Sequence, residues 1–316
     1  MSMGHYTSSL IDLSAIKYRK FLYVDPANGN DANSGLSWDQ ALATINQAMT
    51  LIGSNSTVRG SHFAIIYQGR LTGGNAFPGT QTVNVQGVAL LGAGWLYGMG
   101  GGWDSCFVSK GSLLTQNPDL TGLRTEYVAL NIQADDVLIA GLKFYAADIG
   151  NPFYHIALDD TVGGGRNCLV TQCVFQGDVN GAQNVYGVGF NGSENSVAQG
   201  NMAYYMKEAF TLGGGPTRYC HISAVQENLI ADSERAISVI NSSAENNWLI
   251  RNRIMQKATY GFAMVAGIDF TGSGNGMICA ENYVGHGTKT TAYVKGAGTD
   301  YWYNNYYGTN VLYDGT

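Results

Sequence analysis

One short phrase recurs five times between Asn195 and Tyr307: Val197-Ala-Gln-Gly-Asn201, Ala224-Val-Gln-Glu-Asn228, Trp248-Leu-Ile-Arg-Asn252, Ile278-Cys-Ala-Glu-Asn282 and Tyr301-Trp-Tyr-Asn-Asn305. Successive asparagines stand 27, 24, 30 and 23 residues apart. A period in this range is the signature of a solenoid, whose repeats bury their apolar faces only against one another. Four residues before each Asn stand Val197, Ala224, Trp248, Ile278 and Tyr301, and two after it Ala203, Ile230, Ile254, Val284 and Tyr307. Even offsets share one face of a strand, so the pattern predicts that both columns line one interior. Asn tolerates the left-handed backbone of a sharp bend. The five are therefore expected at the bends, with their amides hydrogen-bonded along the axis.

A second echo falls between these phrases: Gly187-Val-Gly-Phe190, Ala209-Phe-Thr-Leu212, Ala236-Ile-Ser-Val239, Gly261-Phe-Ala-Met264 and Ala292-Tyr-Val294. Each coil therefore holds at least two short strands. Val137-Leu-Ile-Ala-Gly141 and Leu169-Val-Thr-Gln-Cys173 are earlier forms of the Asn phrase. The 43 glycines and the density of β-branched and aromatic residues exclude helical repeats. The whole implies about nine or ten coils, a rod on the order of 45–50 Å long.

The rest of the chain fits one domain. Phe21-Leu-Tyr-Val24 reads as a first strand, and Asp25 to Gly35 as a loop of turn residues. Ser37 is expected to cap a helix starting near Trp38, with Ala41, Leu42, Ile45, Ala48, Met49 and Ile52 on one face and Gly53 ending it. A solenoid needs its end covered, and this helix supplies the lid. Residues 1–20 are a polar N-terminal arm; residues 21–316 form one domain, with capping strand and helix over 21–53 and coils over about 60–307. Gly98 to Gly102 and Gly111 to Glu126 read as loops off the body.

Charged residues are 13% of the chain and net charge is −6, with 17 Lys and Arg in no run. That argues against nucleic acid as a partner. No apolar stretch is long enough to span a membrane, and Met1 to Lys20 lacks the order of a signal peptide. The five cysteines, Cys106, Cys168, Cys173, Cys220 and Cys279, fit no zinc pattern and are expected to be buried, reduced packing residues.

Tyr23-Val-Asp-Pro-Ala-Asn-Gly-Asn-Asp31 through Ser37-Trp-Asp-Gln-Ala-Leu-Ala-Thr-Ile-Asn-Gln-Ala48 resembles the entry motif of right-handed parallel β-helix proteins of the pectin-lyase-like superfamily. The asparagines at 201, 228, 252, 282 and 305 resemble that family's ladder at a coil corner. The resemblance covers about residues 21–307 and implies an all-β, right-handed parallel β-helix. It does not select a function, because the superfamily includes lyases, hydrolases and virion surface proteins.

Asp159-Asp160 and Gly285-His286-Gly287 are the pieces of a polygalacturonase-like site, but 126 residues separate Asp160 from His286. That is roughly five coils, about 24 Å, too far to serve one glycosidic bond. Asp178, Glu208 and Glu234 follow their coil anchors by 5, 7 and 6 residues, which predicts one wall of three successive coils, near Lys207 and Arg235. Rung spacing would set neighbours about 5 Å apart, within reach of a glycosidase pair or Ca²⁺. Solvated acids paired with Lys207 and Arg235 are the simpler alternative. Asp25, Asn28, Asn30, Asp31 and Asn33 form an oxygen-rich loop that lacks EF-hand spacing; metal binding and Asx turns are the two readings.

With no intact family catalytic motif and no secretion signal, the expectation is a non-enzymatic virion-surface protein, a phage capsid decoration or spike protein. It would be a homotrimer bound to its particle through residues 1–20, with no cofactor. Outward rings among Tyr293, Tyr301, Trp302, Tyr303, Tyr306 and Tyr307 would serve contacts. The alternative is a polysaccharide lyase, glycoside hydrolase or glycan binder using Asp178, Glu208, Glu234 and Arg235, with a surface glycan as ligand.

Overall fold

The structure, a computed structural model, describes residues 20–53, 63–70, 80–93, 105–109, 127–146, 153–159, 165–177, 184–213, 219–241, 243–256, 264–272, 275–285, 292–296, 299–308 and 311–313. The chain winds as a parallel β-solenoid whose coils each pass through three sheets. Sheet A has ten strands, from Lys20–Val24 to Tyr301–Tyr303. Sheet B has ten, from Gly69–Arg70 to Val311–Tyr313. Sheet C has eight, from Gln81–Val83 to Tyr293–Val294. One coil runs Val185–Asn191 in sheet C, Val197–Gln199 in A and Met202–Tyr204 in B. All strand pairs within these sheets are parallel except the last of sheet B, where Val311–Tyr313 closes the end antiparallel to Asn305–Tyr307. Lys20 belongs to the first strand, so the expected arm is one residue shorter, and its other residues lie outside the described ones.

The Asn ladder forms at the corner between sheets A and B. Asn201, Asn228, Asn252, Asn282 and Asn305 are all buried. Each Oδ1 accepts from a backbone N–H in the coil before it, beginning with Cys173 N to Asn201 Oδ1 at 2.9 Å. Each Nδ2 donates to a carbonyl in the preceding coil, as Asn228 does to Ala198 O.

The bend itself is not at Asn. The residues just before, Gln172, Gly200, Glu227, Arg251, Glu281 and Asn304, carry the left-handed φ, between 52° and 65°. This corrects the interior column. An extended strand alternates faces, but a left-handed residue turns the chain without taking a place in the alternation, so the phase flips. Residues three before Asn face inward instead of four: Ala198, Val225, Leu249, Cys279 and Trp302 fill the core. Trp248 and Tyr301 lie outside, 38% and 60% exposed. The column two after Asn is interior as expected, from Ala203 to Val284, and Tyr307 packs against it.

A second ladder runs along the corner between sheets C and A. Cys168 N donates to Ser196 Oγ, Ser196 N to Ser223 Oγ, and Ser223 N to Asn247 Oδ1. Here too the residue before is left-handed: Asn167, Asn195, Ile222 and Asn246.

The lid differs from expectation at its start. Trp38–Gln40 is one turn of 3-10 helix in which Ser37 makes no side-chain cap. The α-helix is Ile45–Gly53, and its cap is Thr44, whose Oγ1 accepts from Gln47 N at 3.1 Å. Ala41 and Leu42 are extended, with Leu42 bridged to Val24 and buried. Ile45, Ala48, Met49 and Ile52 do face the core. Asn46 takes the free edge of sheet C, its Oδ1 accepting from Thr82 N at 2.8 Å.

The oxygen-rich loop folds on itself. Asp25 accepts from Ala27 N, Asn28 N and Asn28 Nδ2, while Asp31 accepts from Ala43 N, Thr44 N and Thr44 Oγ1. Asp25 closes a local Asx turn, and Asp31 ties the loop to the residues just before the helix. Among the described residues no group of His, Cys, Asp and Glu could hold a metal ion. Cys168, Cys173, Cys220 and Cys279 are buried free thiols, and desolvation pushes the first three up to about 12.

Candidate functional site

Sheet C builds the site because its rungs break strict alternation. In each central rung two successive residues turn inward, Ala209 with Phe210 and Ala236 with Ile237, all in the core. The polar residues on either side then share the outer face. Glu208 pairs in register with Arg235, and Thr211 with Ser238 and then Asp269. A third column holds Asp159, Asn191 and Gly213.

Arg235 is the hub. Its Nη1 lies 3.2 Å from Glu234 Oε1 and 3.6 Å from Glu208 Oε1, and its Nε 3.3 Å from Asp269 Oδ2. The four side chains are 12 to 26% exposed, so the cluster is largely shielded yet reachable by solvent. The two glutamate oxygens share one nitrogen at 3.6 and 3.2 Å, so they cannot be more than the sum, about 7 Å, apart. Asp269 is committed elsewhere as well. Its Oδ1 accepts from Thr271 N at 2.9 Å and Thr271 Oγ1 at 2.6 Å. It positions the guanidinium, leaving Glu208 and Glu234 as the pair on one nitrogen.

Of the residues predicted for the wall, Glu208, Glu234 and Arg235 meet, and Asp178 lies outside the described residues. Arg235 faces Glu208 across the strands, while Glu234 stands at the bend just before the strand Arg235–Val239. Asp160 and His286 also lie outside the described residues; Asp159 is buried and accepts from Asn191 Nδ2 at 3.5 Å.

Sequence reasoning missed Asp269, Thr211 and Ser238. The strand that carries Asp269 is Ala266–Asp269, not the segment 261–264 expected from the echo. Aligning Ala266-Gly-Ile-Asp with Arg235-Ala-Ile-Ser would have placed it.

Beside the cluster the face is polar but closed. Asn131, Asp159, Asn191, Thr211 and Ser238 are all buried. Asn131 Oδ1, Asn191 Oδ1 and Ser238 Oγ have no hydrogen-bond partner among the described residues. A cavity of about 10 Å³, room for about one water, lies against Tyr154, Gly189, Asn191 and Thr211. Tyr154 and Tyr186 stack at 4.7 Å on the same face, in the column that leads to Glu208.

Fold and cluster together define a parallel β-solenoid with a carboxylate–guanidinium site on one sheet. No protein-family model matches the sequence, and no curated protein matches it. The chain is similar in fold to the crystal structure of the GH136 lacto-N-biosidase from Eubacterium ramulus in its native form. That likeness has a TM-score of 0.45 at 11% identity and covers 84% of this chain and 56% of that one. The selenomethionine derivative of the same enzyme gives 0.36 at 10%, covering 92% and 68%. This chain thus spans little more than half of the native lacto-N-biosidase chain.

Proposed function

We infer that the protein is a glycan-active β-solenoid, a glycoside hydrolase whose reacting carboxyl groups are Glu208 and Glu234. The observation that carries this is their convergence on one guanidinium nitrogen, Glu208 from the adjacent strand and Glu234 from the bend just before Arg235. Hydrolysis of a glycosidic bond needs one carboxyl to protonate the leaving oxygen as the C–O bond breaks. A second carboxylate attacks the anomeric carbon or takes a proton from the attacking water. A separation of no more than about 7 Å admits the retaining range, about 5–5.5 Å, and only the lower edge of the inverting range, about 6.5–9.5 Å. Arg235 holds both side chains in place, and Asp269 with Thr271 holds Arg235.

The test is hydrolysis of a polysaccharide panel followed by reducing ends. Glu208→Gln and Glu234→Gln should each abolish cleavage while moving the melting temperature little. Cleavage that survives both changes places the chemistry elsewhere.

The expected virion role draws no support from the two solved structures, which are glycosidases. Self-association keeps one supporting observation: Tyr301, Tyr303 and Tyr306 are exposed near the C-terminal end of the stack. Light scattering decides it, and a monodisperse monomer refutes it.

A further inference from the structure

We propose that the last three rungs of sheet A carry a separate glycan-binding surface, an aromatic strip on which the pyranose rings of a neutral glycan stack. The strip shares no residue with the carboxylate cluster on sheet C, so failure of the hydrolase reading leaves it standing.

The outward columns of sheet A run in register from Ala64 and Ile66 to Tyr301 and Tyr303. The chain covers the first of these rungs itself. Ala64, Ile66, Leu91 and Ala140 are buried, with Tyr23 and Trp38 packed against them. The middle rungs turn partly polar, with Gln199 paired to Gln226. The last three turn apolar again and lie open. Trp248, Ile278 and Tyr301 form one column; Ile250, Ala280 and Tyr303 form the other. Trp248 is 38% exposed, Tyr303 46% and Tyr301 60%. Large apolar side chains grouped in the open mark a binding surface.

Size decides against a second protein. Three rungs and two columns span about 10 Å by 7 Å between backbone centres, on the order of 200 Å² with the side chains. A stable interface buries about 800 Å² per partner. Charge decides against nucleic acid. None of the six outward side chains is charged, and Arg251 at the neighbouring bend is held by Glu227 and Glu281 at 2.8 and 3.7 Å. The strip therefore offers phosphates no cation of its own. A pyranose ring suits what remains, because it has an apolar C–H face for an aromatic ring and a rim of hydroxyls for polar neighbours. Gln226, in register with Ile250, supplies a partly exposed carboxamide that makes no hydrogen bond among the described residues. The rung spacing of about 4.8 Å is close to the advance of one sugar along an extended glycan. Trp248 and Tyr301, two rungs apart, then meet every second sugar.

The experiment uses the full chain carrying Glu208→Gln, which leaves the strip untouched and prevents cleavage at the cluster. Binding is read by affinity electrophoresis in gels of hydroxyethylcellulose, xylan and galactomannan, and by calorimetry with the matching hexasaccharides. At least one probe should bind. Trp248→Ala and Tyr301→Ala should each weaken that binding at least about fivefold, the worth of one stacked ring, while Trp248→Phe keeps most of it. Tyr301→Ala removes a largely exposed ring and should leave the melting temperature in place, so it decides the matter even where Trp248→Ala unfolds. Binding that survives both alanine changes overturns the strip and places the glycan on another face. Binding of no probe overturns it too. Strip variants that dissociate an oligomer in light scattering, with glycan binding unchanged, assign the face to a second copy of the chain and overturn the proposal. Binding that the strip variants weaken, with no cleavage by the unaltered protein, keeps the strip and sinks the hydrolase reading.

Discussion

Replacing Asn228 by Ala tests whether the Asn ladder carries stability or only follows the fold. The Asn228 carboxamide makes four hydrogen bonds. Its Oδ1 accepts from Asn201 N at 2.9 Å and Asn201 Nδ2 at 3.0 Å; its Nδ2 donates to Ala198 O and Asn252 Oδ1, both at 3.0 Å. Truncation leaves two buried donors on Asn201 without these acceptors. Asn252 Oδ1 keeps the backbone N–H of residue 228. Each stranded buried donor costs about 1–3 kcal/mol, so the loss should be about 2–6 kcal/mol before any cost of the void. The control is Glu227→Gln, which keeps the bend and removes the charge that pairs with Arg251 at 2.8 Å and accepts from Gln199 Nε2 at 2.8 Å, outside the ladder; exposed pairs contribute up to about 1 kcal/mol. Urea unfolding followed by circular dichroism measures both. A solenoid loses stability through its nearest-neighbour interfaces, so the midpoint for Asn228→Ala should fall well below that of the control. Equal midpoints would refute the ladder as a source of stability.

Two further perturbations have signs fixed by the structure. Ile222 is 51% exposed and left-handed at φ 53°, where a β-branched side chain is strained; Asn fits that backbone and would extend the outer chain in which Asn195 Nδ2 donates to Asn167 Oδ1 at 2.9 Å. Ile222→Asn should therefore stabilise by about 1 kcal/mol, and a lower unfolding midpoint would count against the strain. His155 is fully buried among Phe144, Phe153 and Phe175, and desolvation lowers its pKa from 6.5 to about 3 despite the contact of Nε2 with Gln176 O. Between pH 6.5 and 3 the unfolded chain binds a proton that the native state refuses, so stability is lost as pH falls, by up to about 1.4 kcal/mol per pH unit. The cost at pH 4.5 should be about 2–3 kcal/mol relative to pH 8, and His155→Phe should remove that share; identical acid limbs in the two proteins would refute it.

How much of this was legible depended on whether a physical role had one residue type or several. The Asn ladder was legible because one side chain alone both accepts from the next backbone N–H and donates to a carbonyl, so the letter repeats at every coil. The second ladder was not, because Ser196, Ser223 and Asn247 do the same accepting work with different letters. The strand phase was misread for a related reason. The left-handed position is filled by Gly200, Glu227, Arg251, Glu281 and Asn304, a set with no common chemistry, so attention fell on the constant Asn beside it. Once that residue is taken out of the alternation, the inward column moves by one and the exposure of Trp248 and Tyr301 follows.

The site follows the same logic. Glu208, Glu234 and Arg235 could be placed by counting from their coil anchors, because a fixed offset in a parallel stack is a fixed place on the wall. Asp269 escaped because the coil that brings it round is longer, 30 residues between Asn252 and Asn282, and the extra length pushed its strand past the expected segment. The consequence bears on function. Glu208, Arg235 and Asp269 come from three successive strands of one sheet, so their separations are set by rung spacing, about 4.8 Å per strand, and not by any loop. Coil length can vary without moving the cluster, since strand register holds Glu208, Arg235 and Asp269 and Glu234 stands directly before Arg235. A site held this way is set by the backbone before any ligand arrives, which is the preorganisation the proposed carboxyl pair would need.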